Sequence, residues 1–582
     1  MINIVLLFVW FVVITIIPGL SILSLLFGDF KRFGVIELLV LAIGVGISYL
    51  VIVCYLLDLF LIINLITLTI SILPFPCLMF FLYHKEIFHL YRNIKNKLKR
   101  DTLRKDLLIK LKLIKINTST IILMLVLFFI VLIELNDLLK SIVVPVSDTW
   151  FWLIESKKIV EKGHLIIDLA ESGYTAYGYF IQFPRGAAYF LAAMFLPNLI
   201  NPYYIILFIG PFLSLLQSIG VYIASKKFLN SDKLAIYSVL LYGTSRLVIW
   251  RGKIYTTESI GLFLIIVLGL FLFEKNLKAD ILGLFVVAGL GLTSFSSFGP
   301  IILPTLVYFV LYKPYKVSAL TIVGLIGGSL LLPSFAQRLL RFTYSISFNT
   351  NISLLALFRD NTQWTFGYSL AFAFIGVIYF LLNRSSERMF YVICFLETFV
   401  LINFINASWQ NIRIFPSFSI FASTLAAQGL WSMIKTFRKV KIPLCKKGYM
   451  KSYIIHFIIV ICLVYQIFFG MVRGYHATLS RRYNSEDVTA ALWLYDNSPE
   501  DTVVLLLTGN NRPYSTILYP RTLISDRAIY GHSPENVVSY CSQNNVSYII
   551  LENDAFAQSI KANDHFTEIY LNSGITILFF HQ

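Results

Sequence analysis

The chain is 582 residues long, 58% hydrophobic and only 14% charged, whereas about a quarter of the residues in a soluble globular protein carry charge. Apolar runs long enough to cross a hydrocarbon core, each of about 20 residues, recur along almost its whole length, so a soluble globular protein is excluded. The net charge of +17 does not point to nucleic acid, because the basic residues are concentrated in stretches between apolar runs.

Taken in chain order, spans are expected near 3–26, 35–57, 60–83, 117–138, 203–225, 234–250, 259–273, 280–294, 299–312, 317–333, 364–382, 388–404, 412–433 and 452–472, about 14 in all. Between 84 and 116 there are eleven Lys or Arg against three acids (Glu86, Asp101 and Asp106), and a second basic cluster runs over 435–451. Starting with the N-terminus outside puts Lys31-Arg32, both clusters, Lys226-Lys227, Lys275-Lys278, Lys313-Lys316 and Arg384-Arg388 on the cytoplasmic side. That is the positive-inside arrangement. It leaves 139–202, 251–258, 334–363, 405–411 and the whole C-terminal tail outside. The expectation is a multi-pass protein of the plasma membrane, with its N-terminus and C-terminal domain extracytoplasmic.

The first apolar stretch lacks a basic n-region and is followed by Lys31-Arg32, so it reads as a retained span and not a cleaved signal. Cys54, Cys77, Cys394 and Cys462 lie in apolar spans, Cys445 in a basic loop and Cys541 alone in the tail. That pattern gives neither a disulfide framework nor a zinc spacing. From Arg473 onward there are seven basic and eleven acidic residues. Here short apolar runs (503–507, 546–551, 575–580) alternate with helical patterns (486–495, 535–541), the signature of a small α/β domain. Three parts follow: 1–116 with the first spans and a basic loop, 117–473 as the main transmembrane module, and 474–582 as the external domain.

Three ionisable residues sit where apolar surroundings should disfavour them. Asp148 opens the external loop 139–202 in Asp148-Thr149-Trp150. It reads either as the N-cap of a helix 149–162 that Gly163 terminates, or as a carboxylate able to act as base or metal ligand. Glu258 enters an apolar run after Trp250-Arg251-Gly252-Lys253-Ile254-Tyr255-Thr256-Thr257, a costly position that marks a functional candidate; pairing with Arg251 or Arg246 is the alternative. Arg413, between Ile412 and Ile414, either snorkels to headgroups or offers a planar fork to phosphate. His164 reads as a base or as a polar cap. The polar break over 291–300 reads as part of a lipid path or as a tight external turn. Two acids and an arginine at the outer face suit a polyprenyl-phosphate leaving group neutralised by arginine or by a divalent metal, with a carboxylate to take the acceptor's proton.

The order of these strings resembles the catalytic subunit of oligosaccharyltransferase, within the GT-C glycosyltransferase superfamily. Asp148-Thr149-Trp150-Phe151-Trp152, Ile159-Val160-Glu161-Lys162-Gly163-His164, Asp168 and Phe183-Pro184-Arg185-Gly186 look like that family's first external loop. Ser245-Arg246, Tyr255 and Glu258 are similar to the second loop, whose paired acidic motif is here reduced to Glu258. Glu387-Arg388 through Asn411-Ile412-Arg413-Ile414-Phe415-Pro416 looks like the late span whose arginine holds the donor phosphate. Trp493-Leu494, Asn497-Ser498-Pro499 and Arg521-Thr522-Leu523-Ile524-Ser525-Asp526 resemble the start of the family's external domain.

The resemblance covers roughly 117–550 and implies a GT-C-like fold of α-helical spans with a small external α/β domain. It implies Asp148 and Glu258 as catalytic residues and as ligands of Mg or Mn. It further implies Arg413, Arg251 and Arg246 as binders of the donor phosphate, and Trp150, Asp168 and Tyr255 as loop residues near the acceptor. The donor would be a polyprenyl-phosphate-linked sugar, the acceptor a protein, glycan or lipid, and the surrounding partner the membrane's own lipid. One departure stands out. After 503–507 the family carries Trp-Trp-Asp-Tyr-Gly, whereas this chain has Thr508-Gly509-Asn510-Asn511-Arg512-Pro513-Tyr514. That argues for an acceptor other than an asparagine sequon. A lipid-linked-sugar flippase or other transporter is the rival. It predicts inverted repeats and charges near the midplane, but no repeat is visible and the candidate residues lie at outer span ends.

Overall fold

The computed structural model describes residues 2–28, 33–79, 81–82, 118–140, 147–164, 185–245, 248–249, 255–272, 274, 276–294, 297, scattered positions between 301 and 311, 369–383, 386–404, 410–439, 485–508, 513–514, 517–518, 521–525 and 529–581. The protein is mostly helical, with a small sheet near its C-terminus. The spans expected at 317–333 and 452–472, most of 299–312, the loop 334–363 and the basic stretches 84–116 and 440–451 lie outside the described residues.

Among the described residues, four helices are long and apolar enough to cross a membrane: α1 (Ile2–Phe27, with a π-turn at Val12–Ile16), α2 (Val35–Leu59), a third over Thr118–Leu135 and a fourth over Pro202–Leu229. The third continues to Lys140 as α4 (Thr118–Lys140), and the fourth is α7 (Pro202–Leu229). Between these come α3 (Leu65–Ile72), α5 (Ser147–Lys162) and α6 (Gly186–Phe195). There follow α8 (Asp232–Gly243), α9 (Thr257–Leu272), α10 (Leu277–Thr293), α11 (Ser369–Leu382), α12 (Ser386–Phe404) and α13 (Gln410–Lys439).

Two boundaries differ from expectation for local reasons. The span placed at 60–83 begins only at Leu65, because Asn64 and Thr67 form a reciprocal capping box that ends the preceding turn; its α3 segment stops at Ile72, two residues before Pro74. Helix α5 begins at Ser147, so Asp148 stands inside the first turn instead of at the N-cap. Gly163 does end this helix, with φ +75° and its amide bonded to the Ile159 carbonyl at 2.9 Å.

Glycines let backbones cross closely, as membrane packing favours. A Cβ at Gly19 would lie 1.9 Å from the Ala42 carbonyl oxygen, and one at Gly46 1.9 Å from that of Thr15, which locks α1 against α2. A Cβ at Gly376 would meet Leu425 O at 2.0 Å and one at Gly429 Phe372 O at 1.8 Å, fixing α11 on α13.

The C-terminal part starts with α14 (Ser485–Asn497) and holds five strands: β1 (Val503–Leu507), β2 (Thr522–Ser525), β3 (Tyr548–Glu552), β4 (Phe566–Leu571) and β5 (Ile575–Phe580). Their order is β2-β1-β3-β5-β4, with β1 parallel to both neighbours and β5 antiparallel to both of its own. Alternation divides the apolar side chains between the faces. Leu505, Leu507, Ile549, Leu551 and Leu578 pack with Val537 and Cys541 of α15 (Pro534–Gln543) and with Ala557 and Ile560 of α16 (Ala555–Lys561). Val504, Leu506, Ile550 and Ile577 join Val488, Ala491 and Leu494 of α14 in a core continuous with the main helical bundle.

Candidate functional site

The first turn of α5, which carries Asp148, meets the approach to α9, which carries Glu258. Thr149, next to Asp148, donates its hydroxyl to the Tyr255 carbonyl at 3.0 Å in a buried contact. Tyr255 in turn donates its hydroxyl to the Ala187 carbonyl at 2.7 Å, and its ring stacks on Phe190. The first turn of α5, the start of α6 and the approach to α9 are therefore held together. Glu258 sits in the first turn of α9, buried, with the Thr257 hydroxyl 3.2 Å from its Oε2.

The turn that carries Glu258 is braced from behind. Tyr242 donates to Gln217 Oε1 at 2.7 Å, and Gln217 Nε2 donates to the Ser259 carbonyl at 2.7 Å. Ser259 Oγ accepts from the Thr256 amide at 3.2 Å. A Cβ at Gly261 would lie 2.5 Å from Ser297 Oγ, so α9 packs tightly on the polar break read at 291–300. Gly186 meets Thr293 and Leu292 of the same stretch in the same way.

Trp150 is buried, its ring stacked on Tyr203 at 5.5 Å between centroids. Asp148 and Arg413 lie in the first turns of α5 and α13, the latter packed against α8, α9 and α11. Arg246, Arg251 and Asp168 fall outside the described residues. His164 is half-buried, with Nδ1 2.8 Å from the Lys162 carbonyl.

Three charged side chains that the sequence reading passed over stand in the same region or beneath it. Asp58, 7% exposed, accepts from Arg185 Nη1 at 3.2 Å and from the Tyr189 hydroxyl at 2.5 Å. This ties the end of α2 to the string 183–186. Glu134, 1% exposed in α4, accepts from Ser214 at 2.5 Å. A carboxylate within an apolar span is a signal that could have been read; Asp58 looked only like the end of one. The third is Lys157, buried on α5 beside the buried Glu155–Lys158 pair at 3.5 Å. Its Nζ donates to the Ile517 carbonyl at 2.9 Å, so the C-terminal part touches the helix that carries Asp148.

The basic residues Lys226 and Lys227 end α7, the opposite terminus from Tyr203. Lys227 bridges Glu37 and Glu274, the latter at 3.0 Å, and Lys226 pairs with Asp232 at 2.7 Å. No group of three or more His, Cys, Asp or Glu suited to a metal occurs among the described residues.

No family model and no curated protein matches the chain. Solved structures do. The oligosaccharyltransferase of Archaeoglobus fulgidus in its apo form is similar with a TM-score of 0.49 and 13% identity, over 74% of this chain and 69% of that one. ArnT from Cupriavidus metallidurans bound to undecaprenyl phosphate is similar with a TM-score of 0.48 and 10% identity, over 79% of this chain and 97% of that one. The arabinofuranosyltransferase AftD from Mycobacteria follows with a TM-score of 0.44 and 13% identity, over 79% of this chain and 40% of that one. All three are GT-C glycosyltransferases, the class that the ordered strings resemble. A likeness of this degree assigns no residue a role.

Proposed function

We propose that the protein is a GT-C-type glycosyltransferase that moves a sugar or oligosaccharide from a polyprenyl-phosphate or -pyrophosphate donor to a protein, glycan or lipid acceptor at the outer membrane face. The observation that carries this reading is the buried bond from Thr149 to Tyr255, which draws the segments bearing Asp148 and Glu258 together across more than a hundred residues. In this reading 117–473 is the catalytic module and the domain from 474 caps it.

The chemistry follows from the side-chain types. Attack by an acceptor hydroxyl or amide needs a carboxylate to take or polarise its proton, the role given to Asp148. The second carboxylate is Glu258, buried and oriented by its braced turn. Departure of the lipid phosphate leaves negative charge, which Arg413, with Arg251 and Arg246, neutralises by bidentate contact. The carboxylates of Asp148 and Glu258 are hard oxygen donors of the kind that hold Mg or Mn together with substrate phosphates, and such an ion would add to that neutralisation. Trp150, Tyr255 and Asp168 would shape the acceptor side of the loop.

The test uses purified protein and a polyprenyl-phosphate sugar, with release of the free lipid phosphate as the readout. Asp148→Asn keeps the size and hydrogen-bonding capacity of the side chain but removes the charge, and Glu258→Gln does the same in α9. Each should lower the rate by about 10²-fold or more while eluting as folded protein. Arg413→Lys keeps charge but loses the fork, and should raise the donor concentration needed for half-maximal rate. Unchanged turnover in both carboxamide variants would reject the reading.

A further inference from the structure

Lys157 lies nine residues beyond Asp148 on α5, between two cation-attracting groups of the C-terminal domain. Its Nζ donates to the Ile517 carbonyl at 2.9 Å and stands 5.1 Å from the centre of the Tyr495 ring. The Arg521 guanidinium stands 4.7 Å from the same ring centre. Arg521 is fixed in place: Nε donates to Ser498 Oγ at 2.8 Å, and Nη2 donates to the carbonyls of Tyr495 at 2.7 Å and Ser498 at 2.5 Å. It thus satisfies the carbonyl end of α14, where a cation is favoured. Arg521 cannot move away from Lys157 without opening that helix end.

We propose that Lys157 is a positioning residue, which pins the C-terminal domain to the helix carrying Asp148 through Ile517 and the Tyr495 ring and so sets how the domain sits over the outer site. The proposal takes its purpose from the glycosyltransferase reading, but its geometry and its test stand apart from any sugar transfer.

The pin is sensitive to charge. Both cations are attracted to the face of Tyr495, yet they repel each other in a buried setting where that repulsion is weakly screened. Burial, and next the neighbouring Arg521, push the Lys157 amine down to about 7. Asp496 and Glu500 bear on Tyr495 and Arg521, Asp487 accepts from the Tyr514 hydroxyl at 2.8 Å, and Glu155 pairs with Lys158 on the same helix. When the domain lifts off, the lysine returns to an ordinary value of about 10.4. Between pH 7 and that value the open form binds the extra proton, so docking strengthens as pH rises through this window, and the full penalty is present below pH 7. An amine that has lost its proton still donates to Ile517.

The experiment is hydrogen exchange on the full chain in detergent, at pH 6 and pH 8.5, corrected for the intrinsic pH dependence of exchange. The amides read are those of Leu518 and Arg521, which bond to Tyr514 and Leu518. Strands β3 and β5 serve as the control for the domain's own fold. Wild type should show at least about tenfold greater protection at the junction at pH 8.5 than at pH 6, with the strands unchanged. Lys157→Gln keeps a donor without a titratable charge, and its junction protection should not vary with pH. Lys157→Ala should lose about three- to tenfold of that protection at pH 8.5, the effect of one hydrogen bond. Junction protection in wild type that is independent of pH overturns the proposal, as does an equal pH response in Lys157→Gln. The wild-type measurement decides the matter even if a variant does not fold. Loss of transferase activity in Asp148→Asn with this pH response intact would separate the two ideas.

Discussion

Thr149 and Tyr255, 106 positions apart, are joined by one buried hydrogen bond from hydroxyl to backbone carbonyl. Thr149→Val preserves the branched shape and removes the donor, so it should cost about 1–3 kcal/mol and lower the thermal midpoint. Thr149→Ser should restore most of the loss. Equal midpoints for wild type and Thr149→Val, measured in the same detergent, would mean that the two segments are held by packing alone.

The Asp58 cluster gives a graded expectation. Tyr189→Phe deletes one of the donors to Asp58 and should cost about 1 kcal/mol. Asp58→Ala leaves the buried Tyr189 hydroxyl without its acceptor and Arg185 without its counter-charge, and should cost roughly 2–3 kcal/mol. The order of the two variants in a thermal unfolding series is the check; a larger loss in Tyr189→Phe would contradict it.

Much of this arrangement was legible and some was not, for identifiable reasons. The four long apolar helices among the described residues announced themselves by length and apolarity. In the tail, β1, β3 and β5 were visible as apolar runs because inner strands bury both faces. β2 (Thr522–Ser525) and β4 (Phe566–Leu571) are the edge strands of the sheet. Edges tolerate polar residues such as Thr522 and Glu568, so they leave no apolar run. Helix α16 is seven residues long, too short for a period to show. At the site, Asp148, Glu258 and Tyr255 stood out by type and position. Asp58 did not, since its partners lie 127 and 131 positions away and no local spacing encodes such a pairing. Lys157 did not stand out either: it and Lys158 are both buried, and the partners of Lys157 in the C-terminal part lie hundreds of positions away.

Helices α11 and α13 cross where Gly429 touches the Phe372 carbonyl. Gly429→Ala places a methyl group against backbone that has no rotamer to change, so it should cost about 1–3 kcal/mol through overpacking. Gly283→Ala, whose Cβ would find Leu268 at an ordinary 3.5 Å, is the matched control in another helix. Similar unfolding midpoints for the two would refute the close crossing.

The sidedness expected from charge can be tested directly. Protease added to sealed, outside-out vesicles should cleave within the tail beyond 474 and spare the basic stretches 84–116 and 435–451. Protection of the tail under those conditions would reverse the proposed orientation and move the site to the other face.

Lys227 accepts two obligations at once, to Glu37 and to Glu274, and that has a consequence for synthesis at the ribosome. Glu37 enters the membrane at the start of α2, and its partner is translated 190 positions later (227 − 37). At about 5–20 residues per second the wait is roughly 10–40 s, during which the carboxylate must stay among headgroups and water. A carboxylate is costly inside the hydrocarbon, so the first turn of nascent α2 would keep to the interface until α7 arrives to pair with it. A chain that stalled before Lys227 would present Glu37 as a recognisable mark of incompleteness.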